Sequence, residues 1–508
     1  MYNKLKMMNM KKMKYIFASL CVVIGLSSCN LNITPDTDIA GPDAGKLAYV
    51  EGLVAGIYNS MATIQAYDVV RYPDYQTDLF NETTQSGNRG GSFARWQLYY
   101  DDQDVYAIWA TYYSVIASVN FTLDKANDAL VAEPDNKDAI NTLKGELYFF
   151  RAYFLHQLAL RFCEDYDPAK AETQLGVPCP TKYDALAKLN RGTLADTYDR
   201  ITKDIAEAEK LVSTAGEANS GKITTDAVTA LKAQVALQMH DYTNASTYAK
   251  SLYTTYTLAT EKDEVDDMWK HDTSTETIFQ INLTKSTMSL VGSETYDYTY
   301  GSWDETEKSY IFDPAYIPEQ WVCDLYDESD WRYGTYIGPN RTKNIEATAA
   351  EQVKVVLKFT GNKDLFSKEN VLTYKNMPKI FRIAEMYMID AEAQYRTGGD
   401  ALSPLNALRA ARGLATVSST GDELFADIKK ECVREFIGEG HRLFDLKRWG
   451  DGFKRDGQNS YKTYLQGGTT IYEMEVSAGA SKFVWPIPQK EGANNSNIGK
   501  QNPGYTEF

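Results

Sequence analysis

Residues Ala227–Tyr253 read A-V-T-A-L-K-A-Q-V-A-L-Q-M-H-D-Y-T-N-A-S-T-Y-A-K-S-L-Y. Alanines recur along one helical face, a short His240-Asp241-Tyr242-Thr243-Asn244 turn follows, and Ala245, Ala249 and Leu252 resume the spacing. Apolar residues three and four apart mark a helix face, and small side chains let two helix axes approach closely. Thr225–Tyr256 therefore predicts a tight helical hairpin.

The theme returns in Ile383–Arg412, where A-E-M-Y-M-I-D-A-E-A-Q-Y-R-T-G-G-D-A is followed by Leu405, Leu408 and Ala411. Thr193–Leu211 supplies a further helix. Helical spacing also runs through Lys46–Thr63, Val105–Leu130 and Asp135–Phe162, with Trp109 and Tyr112 on a core-facing stripe. Each hairpin resembles a tetratricopeptide unit, and several copies along one chain predict a mainly α, solenoid-like scaffold.

Two segments break the pattern. Residues 66–104 interleave aromatics with Asp, Asn and Arg, and Gly87, Gly90 and Gly91 exclude a long regular element there. Residues 257–378 are rich in Thr, Tyr, Gly and Asp, with short β-like runs at Thr277–Leu283 and Gln352–Thr360. Long irregular inserts on a rigid scaffold are the usual home of binding loops. The expected division is a signal segment 1–28, a tether 29–45, a helical part 46–256 carrying the loop 66–104, an irregular subdomain 257–378, and a helical C-terminal part 379–508.

The N-terminus gives the address. Lysines at 4, 6, 11, 12 and 14 precede a twelve-residue apolar core, Tyr15–Leu26, too short for a bilayer span of about 20 residues. Leu26-Ser27-Ser28-Cys29 then resembles a bacterial lipobox, which predicts acylation of Cys29. The formal charge of −16 becomes five units more negative once residues 1–28 are removed, which excludes nucleic acid as a partner. Cys163, Cys179, Cys323 and Cys432 form no CxxC or zinc spacing, and Cys163–Cys179 is one of several disulfide pairings open to them. The four histidines form no HExxH, and neither a phosphate loop nor a nucleophile elbow is present in the sequence. No cofactor or metal is expected.

Glu431–Trp449, E-C-V-R-E-F-I-G-E-G-H-R-L-F-D-L-K-R-W, is the densest charged stretch. Glu435, Glu439, His441 and Asp445 invite a catalytic reading as acid, base and orienter. The stripe Leu424, Ile428, Cys432, Phe436 points to a buried face instead, where acids and arginines are tolerated as mutual partners. Glu435, Glu439 and Arg442 are expected on one helix side.

Three stretches together resemble the SusD/RagB nutrient-binding lipoproteins of Bacteroidota outer membranes. They are Phe381–Gly398 with Ala401–Arg412; the set Arg434-Glu435-Phe436, Glu439-Gly440, Arg442, Asp445-Leu446 and Arg448-Trp449; and V-W-P-I-P from Val484 with Q-N-P-G-Y from Gln501. The resemblance implies a four-hairpin tetratricopeptide-like scaffold with an irregular subdomain, and glycan or peptide binding without cleavage. It also implies display on the outer membrane beside a SusC-like TonB-dependent β-barrel, whose mouth the protein covers as a lid. The leader N-L-N-I-T-P-D-T-D lacks the tight acidic cluster linked to surface export.

A pyranose offers flat C–H faces and a hydroxyl rim, so a sugar site needs aromatic planes and polar side chains that replace lost water. The expected site combines Trp96 with Tyr296, Tyr298, Tyr300 and Trp303, and places Asp78, Asn81 and Arg89 as polar partners. The alternation Tyr296-x-Tyr298-x-Tyr300 predicts three rings on one side of a strand. Alternatives are a peptide or glycopeptide ligand and, in a different class, a glycosidase with paired carboxylates.

Overall fold

The computed structural model describes residues 45–67, 71–287, 296–342, 353–365, 370–466 and 472–508. Cys29 and the leader lie outside them. The scaffold opens with α1 (Leu47–Tyr67), α2 (Gln103–Ala132) and α3 (Lys137–Phe162), followed by α4 (Leu194–Leu211). Asp102 caps α2 by accepting from the N–H groups of Asp104 and Val105, and a Thr193–Asp196 capping box starts α4. From Phe149 to Phe162 every residue of α3 is buried, which makes it the central rod, packed by α2 on one side and α4 on another. Trp109 and Tyr112 are in the core, as their spacing predicts.

The predicted hairpin forms as α5 (Thr225–Gln238) and α6 (Tyr242–Ser251). His240 turns the chain at φ 59°, and Asp241 caps α6. Ala227, Ala230, Ala233, Ala245 and Ala249 are fully buried, so the small-residue face is the packing face. α7 (Lys262–Lys270) was not expected. It begins the irregular segment as an amphipathic helix with Val265, Met268 and Trp269 inward. The second repeat becomes α8 (Ile383–Thr397) and α9 (Leu402–Ala410), and α8 packs on α6 through Ser246 Oγ to Asp390 Oδ1 (2.6 Å) and a Tyr253–Tyr387 stack (3.9 Å). α10 (Gly421–Phe436) and α11 (Arg442–Trp449) follow. Glu439 lies in the turn between them, so one continuous helix face for Glu435, Glu439 and Arg442 does not form.

The strands are short: β1 (Phe80–Glu82), β2 (Thr277–Gln280), β3 (Gly301–Asp304), β4 (Ser309–Phe312), β5 (Tyr316–Pro318), β6 (Ile337–Asn340), β7 (Val353–Val356) and β8 (Lys379–Arg382). They pair antiparallel as β1–β5, β2–β8, β3–β4 and β6–β7. The two C-terminal motifs clip each other. Asn502 Nδ2 donates to Trp485 O (2.7 Å), Gln501 exchanges 2.8 Å hydrogen bonds with the backbone of Ile487, and the Trp485 indole donates to Gln76 Oε1 (2.8 Å). Among the described residues the four cysteines after Cys29 are free thiols, and no helix is long and apolar enough to cross a membrane.

Candidate functional site

The two irregular segments meet. β1 pairs β5 with Phe80 opposite Pro318, Asn81 opposite Ile317 and Glu82 opposite Tyr316. Asp297, fully buried at the helical turn Tyr296–Thr299, accepts from Arg89 Nε and Tyr75 Oη, both at 2.9 Å. Arg71 completes the group at 3.5 Å. Burial, then the Asp297 charge, raises the Tyr75 hydroxyl well above its ordinary range, so it donates to that carboxylate rather than ionising.

The expected strand through the three tyrosines is corrected. Tyr296–Thr299 is helical, so successive side chains leave in different directions. Tyr298 goes inward, fully buried against Phe80 (4.6 Å), Tyr75 (5.6 Å) and Phe359 (6.3 Å). Tyr300 goes outward and is 45% exposed. The Tyr296 side chain lies outside what the structure describes.

Two polar candidates are also corrected. The Asp78 carboxylate, buried, takes both Nε (2.9 Å) and Nη2 (2.8 Å) of Arg442, and its carbonyl accepts from Trp321 Nε1 (2.9 Å). Asn81, also buried, donates to Glu319 Oε1. Asp78 fastens the loop to α11 and Asn81 fastens it to the irregular subdomain, and neither faces solvent. Arg89 differs: with its Nε on Asp297, its side chain stays 41% exposed.

Trp96 and Trp303 sit in different surroundings. Trp96, half-buried at φ 56°, donates its indole N–H to Gln76 O (2.5 Å), and its ring meets Phe483 (5.1 Å) and Phe453 (5.6 Å). Trp303 is on β3 and meets Tyr310 across the β3–β4 hairpin, ring centroids 5.1 Å apart. Tyr374 clamps that hairpin: its hydroxyl receives Gly301 N–H (3.0 Å) and donates to Gly301 O (3.1 Å). Its ring lies 6.3 Å from that of Tyr300. The hairpin thus carries two ring pairs, Tyr300–Tyr374 and Trp303–Tyr310, with Tyr300 exposed and the other three partly buried, three residues along the chain from Asp297. Tyr374 was missed because nothing local marks it; it is the single aromatic of residues 370–378 and joins the group only through the fold.

The charged stretch is a packed ionic lattice. Glu435, fully buried, receives Arg412 (2.9 and 3.0 Å), Arg382 (2.7 Å) and Arg332 (3.0 Å). Arg412 also grips Glu276 through two 2.8 Å contacts, and Arg382 and Lys358 both reach Glu439 at 2.5 Å. Burial alone would raise the Glu435 carboxyl, but Arg412 and Arg382 override it and hold it well below the usual carboxylate range. Arg434 pairs with Glu431 (3.1 Å), and Arg448 holds Glu392 (2.7 Å) and Asp445 (2.8 Å), with the Trp449 indole on Glu392 (3.0 Å). His441 stacks on Phe436 at 4.7 Å. Every acid in the stretch is committed to a cation. An acid needed to carry protons would have to be released first.

Residues 237–505 match the model of the SusD family, and residues 31–237 match a model described as starch-binding, associating with outer membrane. The starch-binding protein SusD of Bacteroides thetaiotaomicron is 36% identical over 127 residues, 25% of this chain and 21% of that protein, so the match spans about a fifth of the relative's length. A solved SusD superfamily protein from Bacteroides thetaiotaomicron superposes with a TM-score of 0.74 at 25% identity, covering 90% of this chain and 100% of that one. A laminarin binding SusD-like protein shares the fold, with a TM-score of 0.69 at 19% identity over 91% of this chain and 100% of the other.

Proposed function

Since this chain belongs to the SusD family, we propose that it captures a glycan outside the outer membrane, without cleaving it, and passes it to a SusC-like TonB-dependent β-barrel that it covers. Cys29 carries the lipid anchor, residues 29–45 act as the tether, and residues 257–378 carry most of the binding face. The observation that supports this reading best is the accessible aromatic group on the β3–β4 hairpin. Tyr300 is 45% exposed beside Tyr374, and Trp303, partly buried, packs on Tyr310. Rings held by a clamped hairpin lose little freedom on binding, so they suit the flat faces of a sugar chain. Arg89, partly exposed and oriented by Asp297 three residues before Tyr300, supplies hydrogen-bond donors from the first irregular segment. The ionic lattice supports a binding rather than a catalytic role, because its acids are held as counter-ions.

The test is isothermal titration of the full-length protein with laminarin and with maltooligosaccharides, followed by assay for shortened products. Saturable binding of a glycan with no new chain ends is expected. Catalytic release of oligosaccharide would replace this reading with the glycosidase one.

A further inference from the structure

A cavity of about 170 Å³ lies between the C-terminal half of α3, the end of α5, the start of α8 and the turn before α11, and shares Tyr374 with the aromatic hairpin. At about 10–15 Å³ per water, it holds on the order of ten waters, comparable to one pyranose ring with its hydroxyls. Its cations are already engaged. Lys379 bonds Asp272 (2.6 Å), Arg382 is shared by Glu435 and Glu439, and Arg448 holds Glu392 and Asp445. The cavity is therefore poorly matched to a carboxylate or phosphate.

What remains unspent on its wall is the Gln238 amide, the Glu385 carboxylate with the His441 imidazole facing it, and the His156 imidazole. The Gln238 amide makes no hydrogen bond among the described residues. Glu385 receives Gln234 Nε2 on Oε1 (2.5 Å), and its Oε2 takes no donor there. His156 is buried with Nδ1 unpartnered, and burial pushes its imidazole down to about 3, so the ring is neutral. Phe444 and Tyr374 add ring surface. An amide, a carboxylate oxygen and a neutral imidazole, set beside aromatic rings in a partly open cleft, are the complement of a hydroxylated, uncharged ring.

We propose that this cavity is a second binding site that takes one uncharged monosaccharide unit, with Gln238 and Glu385 bonding its hydroxyls. The ligand class rests on the glycan reading above, whereas the site rests on the cavity alone. Saturation-transfer NMR and isothermal titration of the detergent-solubilised full-length protein with D-glucose, D-galactose, D-mannose and D-xylose test it. At least one sugar is expected to bind saturably. Glu385→Gln should weaken that binding by about tenfold, the loss of a hydrogen bond to a charged group. Gln238→Trp, which fills the space, should abolish it. If Gln238→Trp does not fold, Glu385→Gln decides the matter by itself. Trp303→Ala, whose ring meets Tyr310 rather than the shared Tyr374, should leave monosaccharide binding within about twofold while weakening oligosaccharide binding. Monosaccharide binding without any oligosaccharide binding at the hairpin would sink the outer-site reading and leave this one standing. The proposal is overturned if none of the four sugars binds, if Glu385→Gln leaves affinity unchanged, or if glucuronate binds as tightly as the neutral sugars.

Discussion

Arg442 grips Asp78 with two parallel contacts of 2.9 and 2.8 Å across 364 residues of sequence, both side chains mostly buried. The pair joins the first irregular loop to α11, and the Arg442 guanidinium also lies over the Trp321 ring at 5.6 Å. Removing one partner leaves a buried charge without its counter-ion, which typically costs about 3–5 kcal/mol. Asp78→Ala is expected to lower unfolding free energy by that order in urea titrations. A loss below about 1 kcal/mol would mean that the pair behaves like a surface contact and that Asp78 is available to a ligand after all.

Neighbouring tyrosines should separate core from surface. Tyr298→Ala removes a fully buried ring and is expected to cost about 3–5 kcal/mol, in the range of other large aromatic truncations. Tyr300→Ala removes a ring that is 45% exposed and should leave the melting temperature nearly unchanged while weakening oligosaccharide affinity roughly tenfold. Calorimetry for the first effect and titration for the second distinguish them. Equal loss of stability in both variants would place Tyr300 in the core.

The sequence carried the helices and withheld the site. Alanine at helical spacing reports packing directly, so the α5–α6 hairpin and its repeat at α8–α9 were legible from Ala227, Ala245 and Ala391. The charged stretch was legible as paired charges because its buried stripe left the acids no solvent. Partners were not legible: Arg382 and Arg332 reach Glu435 from distant segments, and Glu276 joins the same lattice through Arg412. The Tyr296–Tyr300 alternation misled because period two over five residues fits a strand and a helical turn leading into one equally well. Asp78 and Asn81 misled for a related reason, since polar residues in a loop serve as clasps as readily as ligands.

Acidity should tune stability in a defined direction. Burial raises Asp74 from 3.8 to about 8, and Glu146 and Glu319 from 4.5 to about 7. Between their unfolded and folded values these groups are neutral when folded and ionised when unfolded. Their contribution is therefore full below about pH 4 and is lost as pH rises toward about 8. Glu431, Glu435 and Glu439 are lowered in the folded state, so their contribution is lost in acid instead. Lys358, pushed down to about 8 by burial, acts above this window. His156, pushed down to about 3, loses its contribution as pH falls below about 6.5, so three raised carboxyls against one imidazole leave a net decline in melting temperature from about pH 5 to pH 8. Asp74→Asn, which can still accept the Gly440 N–H, should flatten part of that decline. A slope identical to that of the unsubstituted protein would show that Asp74 is ionised in the fold.

Glu392 and Asp445 share Arg448 unequally, and that asymmetry orders their variants. Glu392 takes both Nε (3.0 Å) and Nη2 (2.7 Å) of Arg448 and also the Trp449 indole, whereas Asp445 takes Nη2 alone (2.8 Å). Asp445→Ala leaves Arg448 bonded to a carboxylate and removes one charge-assisted hydrogen bond, a loss of about 1.5–3 kcal/mol. Glu392→Ala leaves a buried guanidinium with only the partner at its edge and strands the indole donor, which should cost about 3–5 kcal/mol. Neither change touches the β3–β4 hairpin, so oligosaccharide affinity measured well below the melting temperature should hold in both. If Asp445→Ala instead abolished glycan binding with the melting temperature intact, the stretch Glu431–Trp449 would be a working site, and the counter-ion reading of its acids would fall with it.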